Sequence, residues 1–215
     1  MSRATDQRLL DVAIEHFGRH GLHGASTRAI ASSAGTPMSS ITYHFGGKEG
    51  LYLAAARHIG EQMRERLAPA MGEAERALAA SDPASARSAL HAITANVATV
   101  LTNPNIEPVA RFIVREQADP TEAFGLIYDG FMAPLLPRIA RLLTIASGGR
   151  LEEREARLRT IALLGQALVF RVARATVLRS LGWTEIGPRE LPEIERVLSD
   201  HLEAVLDRIE DGGRA

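Results

Sequence analysis

Between Ser26 and Lys48 the chain reads STRAIASSAGTPMSSITYHFGGK, a run that mixes short hydroxyl-bearing side chains with small apolar ones. Two short helices, over 27–34 and 37–44, fit on either side of Ala34-Gly35-Thr36 and have the proportions of a helix-turn-helix. Gly35 stands where the chain must turn sharply, and a left-handed conformation costs glycine nothing. Thr36 is placed to cap the second helix through its hydroxyl, and Pro37 suits a first helical position, where a missing N–H does no harm. Ala29, Ile30, Ala34 and Ile41 supply the contacts that would lock the pair together. The outward face of the second helix then offers Met38, Ser39, Thr42 and Tyr43, side chains able to approach a DNA major groove and its phosphates.

Other chemistry is weakly supported. His16 and His20 are four apart and share a helix face, with His23 following across a glycine, but no local metal motif surrounds them. They read as capping and solvated histidines. His91, Glu107, Arg111, Arg115 and Glu116 offer acid–base groups without a nucleophile elbow, phosphate loop or metal motif. Structural ion pairing explains them more simply. No cysteine is present, so disulfides, thiolate nucleophiles and Cys-ligated zinc are excluded. Neither catalysis, a cofactor nor a metal is expected.

The elements that must position these residues are helical. Hydrophobic residues make up 46% of the 215 and aromatic ones only 5%, which favours a globular chain without a large sheet. Leu9, Leu10, Ala13, Ile14 and Phe17 form an apolar stripe that ends before Gly21. Lys48 opens a longer run, Leu51 to Leu67, ending at Pro69. Beyond Ser81-Asp82-Pro83, helices are expected near 84–102, 107–118, 121–146, 151–180 and 189–210, with Pro134 and Pro137 kinking the third. The uncharged stretch Ser88 to Ile106 carries Thr94, Asn96, Thr99, Thr102 and Asn103, so it reads as a buried helix and not a membrane span. Met1 to Gln7 lacks the apolar core of a signal peptide, and a cytoplasmic location is expected. With a net charge of −1 overall, any case for nucleic acid must be local. Even over residues 1–50, five basic side chains (Arg3, Arg8, Arg19, Arg28, Lys48) exceed the acidic ones by only one.

Phe17, Gly21, Thr27, Ile30, Ala31, Gly35, Tyr43-His44-Phe45 and Lys48-Glu49, taken with their spacing, resemble the N-terminal domain of TetR/AcrR transcriptional regulators over residues 5–55. The resemblance implies that the second short helix reads DNA, that Tyr43-His44-Phe45 closes it, and that Lys48 holds a phosphate. It places Thr27 and Arg28 on backbone phosphates, and Thr36, Pro37, Met38, Ser39, Ser40, Thr42, Tyr43 and His44 toward the groove. Lys48, the only lysine in the chain, falls on the phosphate position. One departure is Thr42-Tyr43, where many relatives carry two aromatic residues before the histidine.

Arg115 to Phe124, REQADPTEAF, resembles the C-terminal domain of CecR-type members of the same family. The implied architecture is all-α: a three-helix DNA-binding domain with a helix-turn-helix over 1–50, then a helical bundle over 51–215 for ligand binding and dimerisation. In such a bundle Phe112, Arg115, Glu116, Phe124, Tyr128, Met132, Gln166, Phe170 and Arg174 are candidate contacts for an apolar or amphipathic effector. Core packing is the competing reading of the aromatic stripe, and an internal ion pair that of Arg115 and Glu116. Two further stripes, Leu158, Ile161, Leu164, Leu168, Val172 and Leu191, Ile194, Leu198, Val205, Ile209, are candidates for a four-helix dimer interface, or for core within one chain. The expected protein is a homodimeric, effector-released repressor on a palindromic operator. The alternatives are an activator, a regulator without a small effector, or a helical binding protein with no DNA role.

Overall fold

The computed structural model describes residues 3–212, and every regular element among them is helical. In order these are α1 (Arg3–Gly24), α2 (Thr27–Ala34), α3 (Met38–Phe45), α4 (Lys48–Arg66), α5 (Ala68–Ala80), α6 (Pro83–Thr102), α7 (Glu107–Ala118), α8 (Glu122–Ile127), α9 (Ala133–Ala146), α10 (Glu153–Val172), α11 (Arg174–Leu181) and α12 (Leu191–Gly212). A 3₁₀ turn precedes α7, and a single π-helical turn, Tyr128–Met132, joins α8 to α9. The chain forms two compact units. One runs to Arg64 and takes in Asn105–Met132; the other comprises Glu65–Pro104 and the chain from Ala133 onward. The units therefore do not part at residue 50: α7, α8 and the π turn belong with α1 to α4.

The first unit is built around α1, which packs on α2 and α7. Leu9, Ala13, Phe17, Ile30, Leu51 and Ile59 are fully buried in it. At its centre Tyr52 of α4 lies between two rings, edge-on to Phe17 at 4.8 Å and stacked on Phe112 at 4.6 Å. The Tyr52 hydroxyl donates to the buried Glu116 carboxylate at 2.6 Å. The other Glu116 oxygen accepts from the Thr121 amide (3.0 Å) and hydroxyl (2.9 Å), and Thr121 Oγ1 in turn caps α8 by accepting from Ala123 N–H. Burial first, and the Glu116 bond second, push the Tyr52 phenol pKa well up. Both oxygens of the carboxylate are hydrogen-bonded, which is what lets it sit in a core.

In the second unit α6 is central, packed by α5, α9, α10 and α12. Asp82 caps it, its carboxylate accepting from Ser85 N–H at 2.9 Å, and that bond holds the Asp82 pKa below its ordinary value. At the other end Arg171 donates to the carbonyls of Leu101 and Asn103, which α6 leaves without helical partners. On the α12 side Arg87 pairs with Glu203 at 2.6 Å and with Asp207 and Glu210 at 3.2 Å, while His91 bridges Glu203 and Ser199.

Three helix expectations need correcting. A whole helix, α5, occupies 68–80, where none was expected; its buried face is alanine only (Ala70, Ala74, Ala77), and Pro69 opens the helix instead of ending the one before. The expected 121–146 helix is interrupted at the π turn Tyr128–Met132, immediately before Pro134, while Pro137 lies inside α9. The 151–180 helix divides at Ala173, and α11 leaves α10 at 77° without a glycine or proline to mark the bend. Among the described residues no single helix is long and apolar enough to cross a membrane.

Candidate nucleic-acid interface

Ser26 begins the site as the cap of α2, its hydroxyl accepting from Ala29 N–H at 3.4 Å. Gly35 takes the left-handed conformation (φ 68°, ψ 32°) that ends α2. Its N–H bonds Ser32 O at 3.1 Å, and the Thr36 N–H bonds Ala31 O at 2.9 Å. That pair of bonds is a Schellman closure, which turns the chain while satisfying the last carbonyls of the helix. Pro37, extended at φ −61° and ψ 143°, then precedes α3. The cap expected of Thr36 is absent: α3 starts at Met38 with no side-chain cap, and the Thr36 hydroxyl is buried without a partner. With Pro37 between Thr36 and the first turn, the hydroxyl sits one residue too early to cap.

Ile41, buried like Ile30, Ala31 and Ala34, faces inward and fixes which side of α3 points out. Ser39, Thr42 and His44 are exposed on that outer side; Met38 is 51% exposed and Tyr43 85%. The Tyr43 and His44 rings meet edge-to-face at 4.9 Å, so two adjacent polar aromatics stand together at the end of the helix. Ser40 and Thr27 are half-buried, and Arg28 is exposed at the start of α2.

Two residues assigned no role at this surface by sequence also shape it. A side chain at Gly50 would place its Cβ 1.7 Å from Phe45 O, so only glycine lets the first turn of α4 cross the end of α3 this closely. His23 contributes through its backbone: its carbonyl accepts from Lys48 Nζ at 2.8 Å. Lys48 thus has its ammonium seated at the end of α1, with two further N–H donors remaining for a phosphate. The Lys-Glu-Gly order after the paired glycines was a visible signal for the first; nothing in the sequence announced the second.

The other expected sites are distributed as follows. Phe112 and Glu116 are buried in the Tyr52 node, Phe112 stacked on the Tyr52 ring and Glu116 accepting from its hydroxyl, and both help hold the first unit together. Phe124 and Tyr128 form a ring pair at 6.0 Å with Tyr128 40% exposed, and Met132 is half-buried at the end of the π turn. In the second unit Gln166 Oε1 accepts from His201 Nδ1 at 2.9 Å, and Phe170 and Arg174 are half-buried. A cleft in that unit is small, about 10 Å³, and is lined by different residues: Leu90, Ile93, Thr94 and Val97 of α6, Ile139 of α9, and Leu163, Leu164 and Ala167 of α10. Its one hydroxyl, on Thr94, is already bonded to Leu90 O. The two stripes proposed for pairing also behave differently. Leu158, Ile161, Leu168 and Val172 of α10 are exposed, whereas Ile194 and Leu198 of α12 are each 2% exposed because α6 covers that face. Leu191, Val205 and Ile209 are half-buried. Ile194 and Leu198 are therefore core residues of their own subunit. His16 reaches Ser33 Oγ at 3.3 Å, and Glu107 pairs with Arg111 one helical turn along.

Comparison with known proteins bears on both halves of the chain. Residues 9–55 match the tetR family of bacterial regulatory proteins, and residues 86–209 match the C-terminal domain of the HTH-type transcriptional dual regulator CecR. The chain is 34% identical over 202 residues to the HTH-type transcriptional dual regulator CecR of Shigella flexneri, covering 93% of this chain and 90% of that protein. Among solved structures, AibR in complex with isovaleryl coenzyme A and operator DNA superposes with a TM-score of 0.66 at 15% identity, over 91% of this chain and 96% of that one. FadR of Bacillus subtilis in complex with stearoyl-CoA gives 0.61 at 18% identity, again over 91% and 96%. At such identities the structural likeness concerns the fold alone.

Proposed function

Because this chain belongs to the TetR family of transcriptional regulators and carries the CecR-type C-terminal domain, we propose that it is a repressor that binds a palindromic operator as a homodimer and is released by a small amphipathic effector. The family and its relatives are regulators and not enzymes. The observation that carries the DNA reading is the exposed outer face of α3, with Met38, Ser39, Thr42, Tyr43 and His44 held out by the buried Ile41 and the closure at Gly35. Thr27, Arg28 and Lys48 flank that face as phosphate contacts, and Thr36, Pro37 and Ser40 lie at its rim. Two copies would set their α3 helices about 34 Å apart, in successive major grooves. The exposed apolar face of α10 supports pairing of two copies, since Leu158, Ile161, Leu168 and Val172 stand exposed there among the described residues. Such a protein works on chromosomal DNA in the cytoplasm.

For the effector, the apolar lining of the small cleft between α6, α9 and α10 suits a hydrocarbon part, and these helices must part to admit one. Two structural neighbours were solved with acyl-CoA thioesters, which have that amphipathic character. A second reading, activation at some promoters, is favoured by the name of the 34%-identical relative as a dual regulator. The effector claim is tested with a chain-length series of acyl-CoA thioesters. One member should raise thermal stability by about 2.7 kcal/mol at a hundredfold excess over its dissociation constant. By linkage the same compound must weaken operator binding by the factor by which operator weakens its own binding. A compound that stabilises the protein and leaves the operator bound is not the inducer, and a series with no stabilising member removes acyl-CoA from the account.

A further inference from the structure

Arg115 lies far from DNA in the chain order, yet its side chain runs to the element that seats Lys48. α1 is not continuous: at Gly21 (φ 69°, ψ 177°) the backbone leaves the helical path before a last turn through His23. An L-residue rarely adopts this φ, and a Cβ at Gly21 would lie 3.0 Å from Arg115 Nη1 and 3.3 Å from its Cζ. The guanidinium therefore lies against the bare backbone of the kink. Arg115 Nη2 also points to Arg19 O at 3.4 Å, a carbonyl just before the break. One turn earlier Gly18 lets α1 approach α7 closely, since a Cβ there would sit 2.9 Å from Pro108 O. The base of Arg115 is equally fixed, because its neighbour Glu116 is bonded to Tyr52 and to Thr121. Beyond the kink, the His23 carbonyl holds Lys48 Nζ at 2.8 Å.

We propose that Arg115 is a positioning residue for Lys48: it braces the kinked end of α1, and the His23 carbonyl at that end sets where the lysine ammonium stands for a DNA phosphate. This inference rests on the reading of Lys48 as a phosphate contact. It also reassigns Arg115, which by sequence was a candidate effector anchor, to the DNA-binding side of the protein's work.

The test is a double-mutant cycle on the full-length protein, with a labelled 30-base-pair duplex of arbitrary sequence as probe and salt as the variable, because a phosphate contact is independent of sequence. Lys48→Ala should weaken binding and reduce the salt slope by about one unit per subunit. Arg115→Ala should weaken it about three- to tenfold when Lys48 is present, and by less than about twofold when Lys48 is already alanine. Gly21→Ala, which strains the kink at φ 69° and crowds the guanidinium while keeping every charge, should show the same dependence on Lys48. Melting curves of each variant establish that it is folded at the assay temperature. Equal losses from Arg115→Ala with and without Lys48 would overturn the proposal, since the arginine would then act by its own charge. Unchanged binding in Gly21→Ala would overturn it as well. If Lys48→Ala altered neither affinity nor slope, the reading of Lys48 would fail and the inference with it; additive losses beside a normal Lys48→Ala effect would sink the inference alone.

Discussion

Leu198→Glu should unfold this protein. Leu198 is 2% exposed on the face of α12 that packs on α6, beside the fully buried Leu202 and Leu206. Truncating a buried leucine costs about 2–5 kcal/mol through lost transfer energy and the cavity left behind. A carboxylate in its place adds the cost of an unpaired buried charge, several kcal/mol more, against a total stability of about 5–15 kcal/mol for a typical domain. The expected result is loss of helical circular dichroism or a collapse of the melting temperature. A well-folded Leu198→Glu protein that merely became monomeric would return this face of α12 to the subunit interface.

Leu168→Arg should do the opposite, sparing the fold and splitting the dimer. Leu168 is 42% exposed, in line with Leu158, Ile161 and Val172 on the uncovered face of α10. A two-fold axis doubles every substitution in such an interface, so two arginines would face the same apolar patch. Light scattering should report a monomer with wild-type helicity. Operator affinity should fall by about 10²–10⁴-fold, because the second half-site would no longer be engaged at the high effective concentration that a linked pair provides. A Leu168→Arg protein that remains dimeric places the pairing surface elsewhere.

The contrast between these two leucines marks the limit of what the sequence conveys. Both lie in apolar stripes at helical spacing, and periodicity says only that a face is covered, not by what. Here α6 covers one, with Arg87 and His91 reaching across to Glu203, while the other stays 42% exposed among the described residues. Where local chemistry decides, the elements were legible: Ser26 and Gly35 bound α2 at Thr27–Ala34, and α7 runs Glu107–Ala118 as its punctuation implies. α5 escaped because an alanine face has little hydrophobic contrast. The bend at Ala173 escaped because neither glycine nor proline marks it, and the π turn because Gly130, packed against Gly60 of α4, shows its role only in the fold. At the candidate site, the outward face of α3 was legible from the position of Ile41. The cap expected of Thr36 was not, since it turned on where the first helical residue falls. The roles of Glu116 and Arg115 were the least legible, because each depends on partners on other helices, Tyr52 and Gly21, far away in the chain.

The central claim is that the outer face of α3 reads DNA in a two-fold arrangement, and in vitro selection of the full-length protein on a random-sequence duplex library tests it without knowledge of any promoter. The account predicts enrichment of an inverted repeat whose half-sites are centred about 10 base pairs, or one further turn, apart, with base preferences that change in Met38→Ala and Thr42→Ala. Enrichment of no motif, or of a motif that both α3 variants leave untouched, would contradict it.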